Sequence, residues 1–207
     1  MLAADADGLT FEVDTAWDEW DEEEEEEEEF LELSEEYLEA IEPEVEPQTM
    51  SGEELDELLD RARHAARQGN IETGVNYFSD VLDFDPDRID AYIGRGRLYL
   101  DLGDFSRAMS DFTVAEDLDP ESPEPQVAVG DLYFARKDYR KAIEYFDTAL
   151  AMKPDHAMAF CRRGISHYYR RNYRQALDDL NEAVKLDPDI PNIKTFVSMA
   201  NKKTRSR

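Results

Sequence analysis

Pro86, Pro120, Pro154 and Pro188 recur at one constant interval, in the stretches DFDPD, DLDPE, MKPD and KLDPD. An interval held that strictly leaves few architectures open. A unit so short cannot bury its own apolar face alone, so the face must be covered by the next unit, and the chain becomes a stack.

Other positions keep the same register. Ala62, Gly96, Gly130 and Gly164 stand at one fixed distance before the prolines, and Gly74, Ala108, Ala142 and Ala176 at a second, shorter one. Closer still are Phe78, Phe112, Phe146 and Leu180, and then Val81, Ala115, Ala149 and Ala183. Small residues let two helices approach closely, and large apolar ones fill the space between them. Within AYIGRGRLYLDLGDFSRAMSDFTVAEDLDP the spacing predicts one helix ending near Leu102-Gly103-Asp104, where the glycine supplies a stop. A second helix is predicted from about Phe105 to Leu118, before Asp119-Pro120.

On these residues the chain resembles a tetratricopeptide repeat (TPR) protein. The resemblance covers four units, 55–88, 89–122, 123–156 and 157–190. It implies an all-α fold, a right-handed α-α superhelix, here with an acidic N-terminal arm (1–50) expected to be disordered. Ser51-Gly-Glu-Glu54 reads as a capping box in front of the first helix. After Pro188, Pro191 is expected at a helix start, with Ile193, Phe196, Val197 and Ala200 on one face of a capping helix within 191–207 and a frayed basic end. Arg61, Arg95 and Arg163 stand where the family usually has Leu. The expectation is a stem lying over a helix interface with its head in water.

In the family, the first helices of successive units line a concave groove that holds a peptide or helix. The matching positions are Leu59, Arg63 and Arg67 in the first unit, and Asp90, Ile93, Arg97 and Leu100 in the second. The third supplies Glu124, Val127, Asp131 and Phe134. The fourth supplies Met158, Cys161, Ile165, Tyr168 and Tyr169, bordered by Arg162, Arg170 and Arg171. Packing against the capping helix is the competing role for Met158, Tyr168 and Tyr169. TPR domains that grip a C-terminal carboxylate use Lys, Asn and Arg donors. At those positions this chain has Leu59, Arg63, Gly94, Glu124 and Ala128, or one unit later Ile93, Arg97, Ala128, Met158 and Arg162. Neither set provides the fork of donors a buried carboxylate needs, which argues against that chaperone class.

Charge divides the chain sharply. Residues 1–60 hold 27 acids and no Lys or Arg, almost the whole of the formal −28. Residues 61–135 carry 15 acids and 7 bases, and residues 136–207 carry 9 and 16. This polarity favours an intramolecular or head-to-tail contact over non-specific binding of DNA. The arm is not uniform. Trp17 and Trp20 precede the tract Glu22–Glu29, and Phe30, Leu31, Leu33, Tyr37, Leu38 and Ile41 follow at helical spacing. An amphipathic helix over 30–41, about 18 Å long, on a linker of up to roughly 30 Å would reach a groove on the same chain.

Candidate chemistry is sparse. His64, His156 and His167 sit in no metal-ligand spacing, Cys161 has no sequence partner, and no phosphate-cradling glycine loop is present. The chain is therefore expected to be no enzyme and to use no cofactor or metal. A single cysteine suits a reducing compartment, and the start lacks a basic and then apolar leader, so cytoplasm is expected, with the nucleus as alternative. The functional expectation is a scaffold or adaptor that binds a protein segment in its groove, with the arm competing for that groove or recruiting a basic partner. Two other classes stay open: a holdase-like chaperone for a basic client, and a structural protein that self-associates.

Overall fold

The computed structural model describes residues 50–205. The arm elements Trp17, Trp20, Phe30, Leu33, Tyr37, Leu38 and Ile41, and the helix expected over 30–41, lie outside these residues. Among the described residues there are nine helices and no strand. They are α1 Gly52–Arg67, α2 Ile71–Phe84, α3 Ile89–Asp101, α4 Phe105–Leu118, α5 Pro123–Ala135, α6 Tyr139–Met152, α7 Ala157–Tyr169, α8 Tyr173–Leu186 and α9 Ile193–Arg205. The predicted pairs are present, and α4 has the predicted bounds. None of these helices is long and apolar enough to cross a membrane.

Local chemistry sets the ends. Ser51 forms the expected capping box: its hydroxyl accepts from the Glu54 N–H, and the Glu54 side chain accepts from the Ser51 N–H. The side chains of Asp104 and Asp138 likewise accept from backbone N–H groups in the first turns of α4 and α6. The first helix of every unit closes on a residue in left-handed conformation. It is Gly69 and Gly103 in units 1 and 2, at φ 75° and 76°, but Lys137 and Arg171 in units 3 and 4, at φ 63° and 64°. The capping helix begins at Ile193 rather than at Pro191, because Asn192 takes a left-handed conformation (φ 63°) and turns the chain first. The helix runs through Arg205, and the last two residues lie outside the described ones.

Helices pack along the chain in sequence order, and first helices of neighbouring units also touch one another: α1 with α3, α3 with α5, α5 with α7. The second helices do not pair in this way, so α1, α3, α5 and α7 form one face of the stack. Its core is a ladder of ring-against-glycine contacts. A Cβ added to Gly96 or Gly130 would meet the ring of Phe112 or Phe146 at 2.4 Å. Unit 1 differs, with Ala62 in that register. There the Phe78 ring presses on Gly94 of the next unit, 2.3 Å from where its Cβ would be. The following units have Ala128 and Arg162 at the Gly94 register, so their rings lean on their own glycine instead.

The three arginines do not share one role. Arg61 is 58% exposed and pairs only with Glu57 one turn away, as expected. For Arg95 and Arg163 the expectation of a solvated head is corrected. Arg95 donates to both oxygens of Asp111, at 3.0 and 2.9 Å, and to the Ser79 hydroxyl. Arg163 donates to both oxygens of Asp179, at 2.9 and 2.7 Å, and to Asp147. Each therefore clamps the second helix of its own unit and that of the unit before. In both cases the carboxylate is supplied by the partner helix of the same unit, and two parallel bonds outweigh hydration of the head.

His167 lies behind this clamp, 3.9 Å from Asp179, with its Nδ1 unpaired. Burial holds its imidazole below the ordinary value of 6.5, against the pull of Asp179 and Asp147 and with repulsion from Arg163 and Arg170. A base with a depressed folded value keeps its full stability above the unfolded value and loses it as pH falls through and below about 6.5. Denaturation midpoints are thus expected to fall on acidification from about pH 7 to 5. His167→Tyr, the residue found at 99 and 133 in the same register, is expected to flatten that fall.

Candidate functional site

The face built from α1, α3, α5 and α7 carries two adjoining cavities. The first, of about 440 Å³, is lined by Arg63, Arg67, Phe78, Asp90, Ile93, Gly94, Arg97, Asp101 and Glu124, with Ala66 and Leu98. The second, of about 400 Å³, is lined by Arg97, Leu100, Asp101, Asp131, Phe134, Ala135, Met158 and Arg162. Arg97 and Asp101 belong to both, so the two join into one groove across all four units.

Of the residues expected to face a partner, Arg63, Ile93, Arg97, Phe134 and Arg162 line these cavities. Leu59 and Val127 do not, being 1% exposed in the helix core. Cys161 and Ile165 are buried against α8 and α9, and burial pushes the Cys161 thiol up. Tyr168 turns toward the closing helix, its ring 6.3 Å from that of Phe196. Tyr169 is half exposed, stacked on Tyr139 at 5.1 Å with Phe134 edge-on to both. Met158 lines the groove, although it also packs on the core beside α9.

Electrostatically the groove is mixed. Four arginines face four carboxylates, and several are already engaged. Arg63 donates to Asp90 at 2.8 Å, and Arg88 reaches both Asp90 and Asp56. His156 caps α7 by accepting from the Ala159 N–H through Nδ1, which leaves Nε2–H to donate to Glu124 at 3.0 Å. That bond holds the Glu124 carboxyl below its usual range. Spacing alone gave no hint of it, because the two residues stand almost a whole repeat apart. The side chains of Arg97 and Asp101 make no hydrogen bond or ion pair among the described residues, and both stand exposed where the cavities meet.

Asp131 occupies the floor of the second cavity. Its Oδ1 lies 3.2 Å from Arg162 Nε, yet neither atom has a hydrogen-bond partner. Burial raises its carboxyl despite Arg162 and Arg97 nearby. An ionised group kept in such a place costs stability, which is more typical of binding surfaces than of packing cores. The arrangement suits a segment that offers both donors and acceptors together with an apolar side chain for Leu100, Phe134 and Met158. Nothing in it pairs a nucleophile with a base.

No curated protein sequence matches the chain. Solved structures resemble it in fold. One is a thermophilic TPR protein of Thermus thermophilus, with 17% identity over 72% of this chain and 82% of that one, and TM-score 0.66. Another is Pseudomonas aeruginosa pilF, with 17% identity over 74% and 70%, and TM-score 0.64. The first TPR of Spaghetti (RPAP3), bound to the HSP90 peptide SRMEEVD, has 20% identity over 58% and 96%, and TM-score 0.53. Tetratricopeptide repeat family models match residues 59–123 and 123–189. With the helix pairs, the constant repeat register and the closing helix, these matches place the chain in the tetratricopeptide repeat family.

Proposed function

We propose that the repeat domain is a non-catalytic interaction scaffold whose groove holds a segment of a partner protein. The observation that carries this reading is the continuous groove through Arg97 and Asp101, with charged groups still unpaired at its centre and apolar walls on both sides. The RPAP3 domain, of like fold, is bound to an HSP90 peptide, which supports a protein ligand in general. It does not support a carboxylate-terminated one here. Leu59 and Ala128 are buried and apolar at the donor positions, and Glu124 would repel an acidic tail. An internal segment of mixed charge fits better than an acidic C-terminus.

The acidic arm belongs to the same reading, either as a competitor for the groove or as a recruiter of a basic partner; cytoplasm or nucleus is the compartment such a role suits. Photo-crosslinking in cells tests both points. Benzoylphenylalanine at Met158, in the groove, is expected to give discrete protein adducts that Arg97→Glu removes. The same group at Thr113, exposed on α4, is expected to give none. Equal adducts from both positions, or none from Met158, would overturn the groove as the binding surface. Removing residues 1–49 is expected to raise the adduct yield if the arm competes, and to abolish it if the arm recruits.

A further inference from the structure

The turns that join the two helices of each unit are not alike. In units 1 and 2 the stretches 67–73 and 101–107 hold two bases and three acids. In units 3 and 4 the stretches 135–141 and 169–175 hold seven bases and one acid, and all seven bases are exposed. The single acid, Asp138, is spent on capping α6. Arg140 pairs with Glu144, while Arg136 and Lys141 lie over the Tyr133 ring. The side chains of Lys137, Arg170, Arg171 and Arg174 make no hydrogen bond, ion pair or ring contact among the described residues.

Two further facts set this edge apart from ordinary solvated charge. The first is conformational. Lys137 and Arg171 stand at the left-handed position that Gly69 and Gly103 fill in the other units. A side chain there is disfavoured relative to glycine, so a charge is held where the backbone would rather have none. The helix dipole favours a base at a helix end, but the same dipole exists in unit 2, where Asp101 and Leu102 stand instead. The second is rigidity. Stacking of Tyr139 on Tyr169 joins the two turns, and the half-exposed Tyr169 offers a ring between them.

We propose that this edge is a second interaction surface, and that it takes a glutamate-rich segment of another polypeptide. The chemistry follows from the charges: a row of unpaired bases beside an exposed ring complements carboxylates interleaved with apolar side chains. Duplex nucleic acid and anionic membranes fit less well, because each presents its charge as a regular array of phosphates, with no exposed apolar side chain to set against the Tyr169 ring. The inference rests on reading the chain as an interaction scaffold, but not on its groove.

The test uses the intact chain and a dye-labelled peptide unrelated to its sequence, four repeats of Glu-Glu-Glu-Phe, followed by anisotropy at low and high salt. The wild-type chain is expected to bind it saturably, and salt to weaken it. A peptide with Gln in place of every Glu is expected not to bind. Lys137→Gly with Arg171→Gly restores the backbone preference of units 1 and 2. That double variant is expected to be at least as stable as the wild type, yet to bind on the order of tenfold or more weakly. Arg170→Glu with Arg174→Glu is expected to abolish binding, whereas Arg97→Glu is expected to leave it unchanged, which separates this surface from the groove. Equal binding of the Gln peptide, undiminished binding by the rim variants, or equally tight binding of a DNA duplex or of phosphatidylserine vesicles would overturn the proposal. So would binding seen only after Glu22–Glu29 are changed to Gln in the chain, since the rim would then serve the chain's own tract.

Discussion

Arg163→Ala is expected to lower the unfolding free energy by roughly 3–5 kcal/mol, the cost of leaving a buried charge without its partner. Asp179 is 8% exposed, and both of its oxygens are held by Arg163. Removing the guanidinium leaves that carboxylate facing His167, and it also frees Asp147 on the preceding unit. Chemical denaturation followed by circular dichroism measures the loss. The chain itself contains the compensating design. In unit 3 the same two registers hold Val129 and Tyr145, a pair without any charge. Arg163→Val combined with Asp179→Tyr is therefore expected to recover most of the stability, because a well-packed apolar pair replaces a buried ion pair at little cost. A double variant as unstable as Arg163→Ala would mean that the clamp across units, rather than desolvation of Asp179, sets the loss.

Phe146→Ala is expected to cost about as much, roughly 3–5 kcal/mol, through loss of a ring with no exposed surface and the cavity it leaves. The more telling variant is Gly130→Ala. Its new methyl carbon would lie 2.4 Å from the Phe146 ring, and the ring has no second glycine to move toward, because the neighbouring unit presents Arg162 there. Overpacking of this kind costs about 1–3 kcal/mol. Adding Phe146→Leu to Gly130→Ala is expected to return part of it, since the smaller Leu180 serves the same register in unit 4. Non-additivity between the two substitutions, read from a double-mutant cycle, is the measurement. Simple additivity would show that ring and glycine are not in the contact described.

How much of this was legible in the sequence differs by kind of contact. The helix pairs and the small-against-large ladder were readable because each recurs once per unit, and the period multiplies a weak local signal. The capping box was readable from its own four residues. The Arg95–Asp111 and Arg163–Asp179 clamps were missed. Each joins the two helices of a unit across the turn between them, beyond any one-helix spacing rule, and they occur only in every second unit. The signal was present all the same, as an alternation of Arg–Asp in units 2 and 4 with Arg–Tyr in unit 1 and Val–Tyr in unit 3. Of the groove positions, charged ones such as Arg63 and Arg97 line the cavities, since a charge seeks the open side. Leu59 and Val127 do not: an apolar residue on a first helix satisfies groove or core equally by pattern, and packing decided for the core. The basic edge was visible only once Lys137 and Arg171 were compared with Gly69 and Gly103 in register.

The alternation of units also distributes mechanical stiffness along the stack. Ion pairs tie α1 to α3 and its leading residue, through Arg63–Asp90 and Asp56–Arg88, and one crosses the junction of units 3 and 4 through Arg163–Asp147. Among the described residues none crosses the middle junction. It is joined by one side-chain hydrogen bond, Gln126 to Glu116, over a continuous apolar core. Apolar contacts tolerate small sliding, whereas a guanidinium–carboxylate pair is directional and breaks. The middle junction, held by apolar packing, that hydrogen bond and the Arg136 guanidinium over the Phe105 ring, is thus expected to yield before its neighbours when the stack bends, and Arg97 and Asp101 lie beside it. A segment entering the groove would meet its unpaired charges beside the junction expected to yield first.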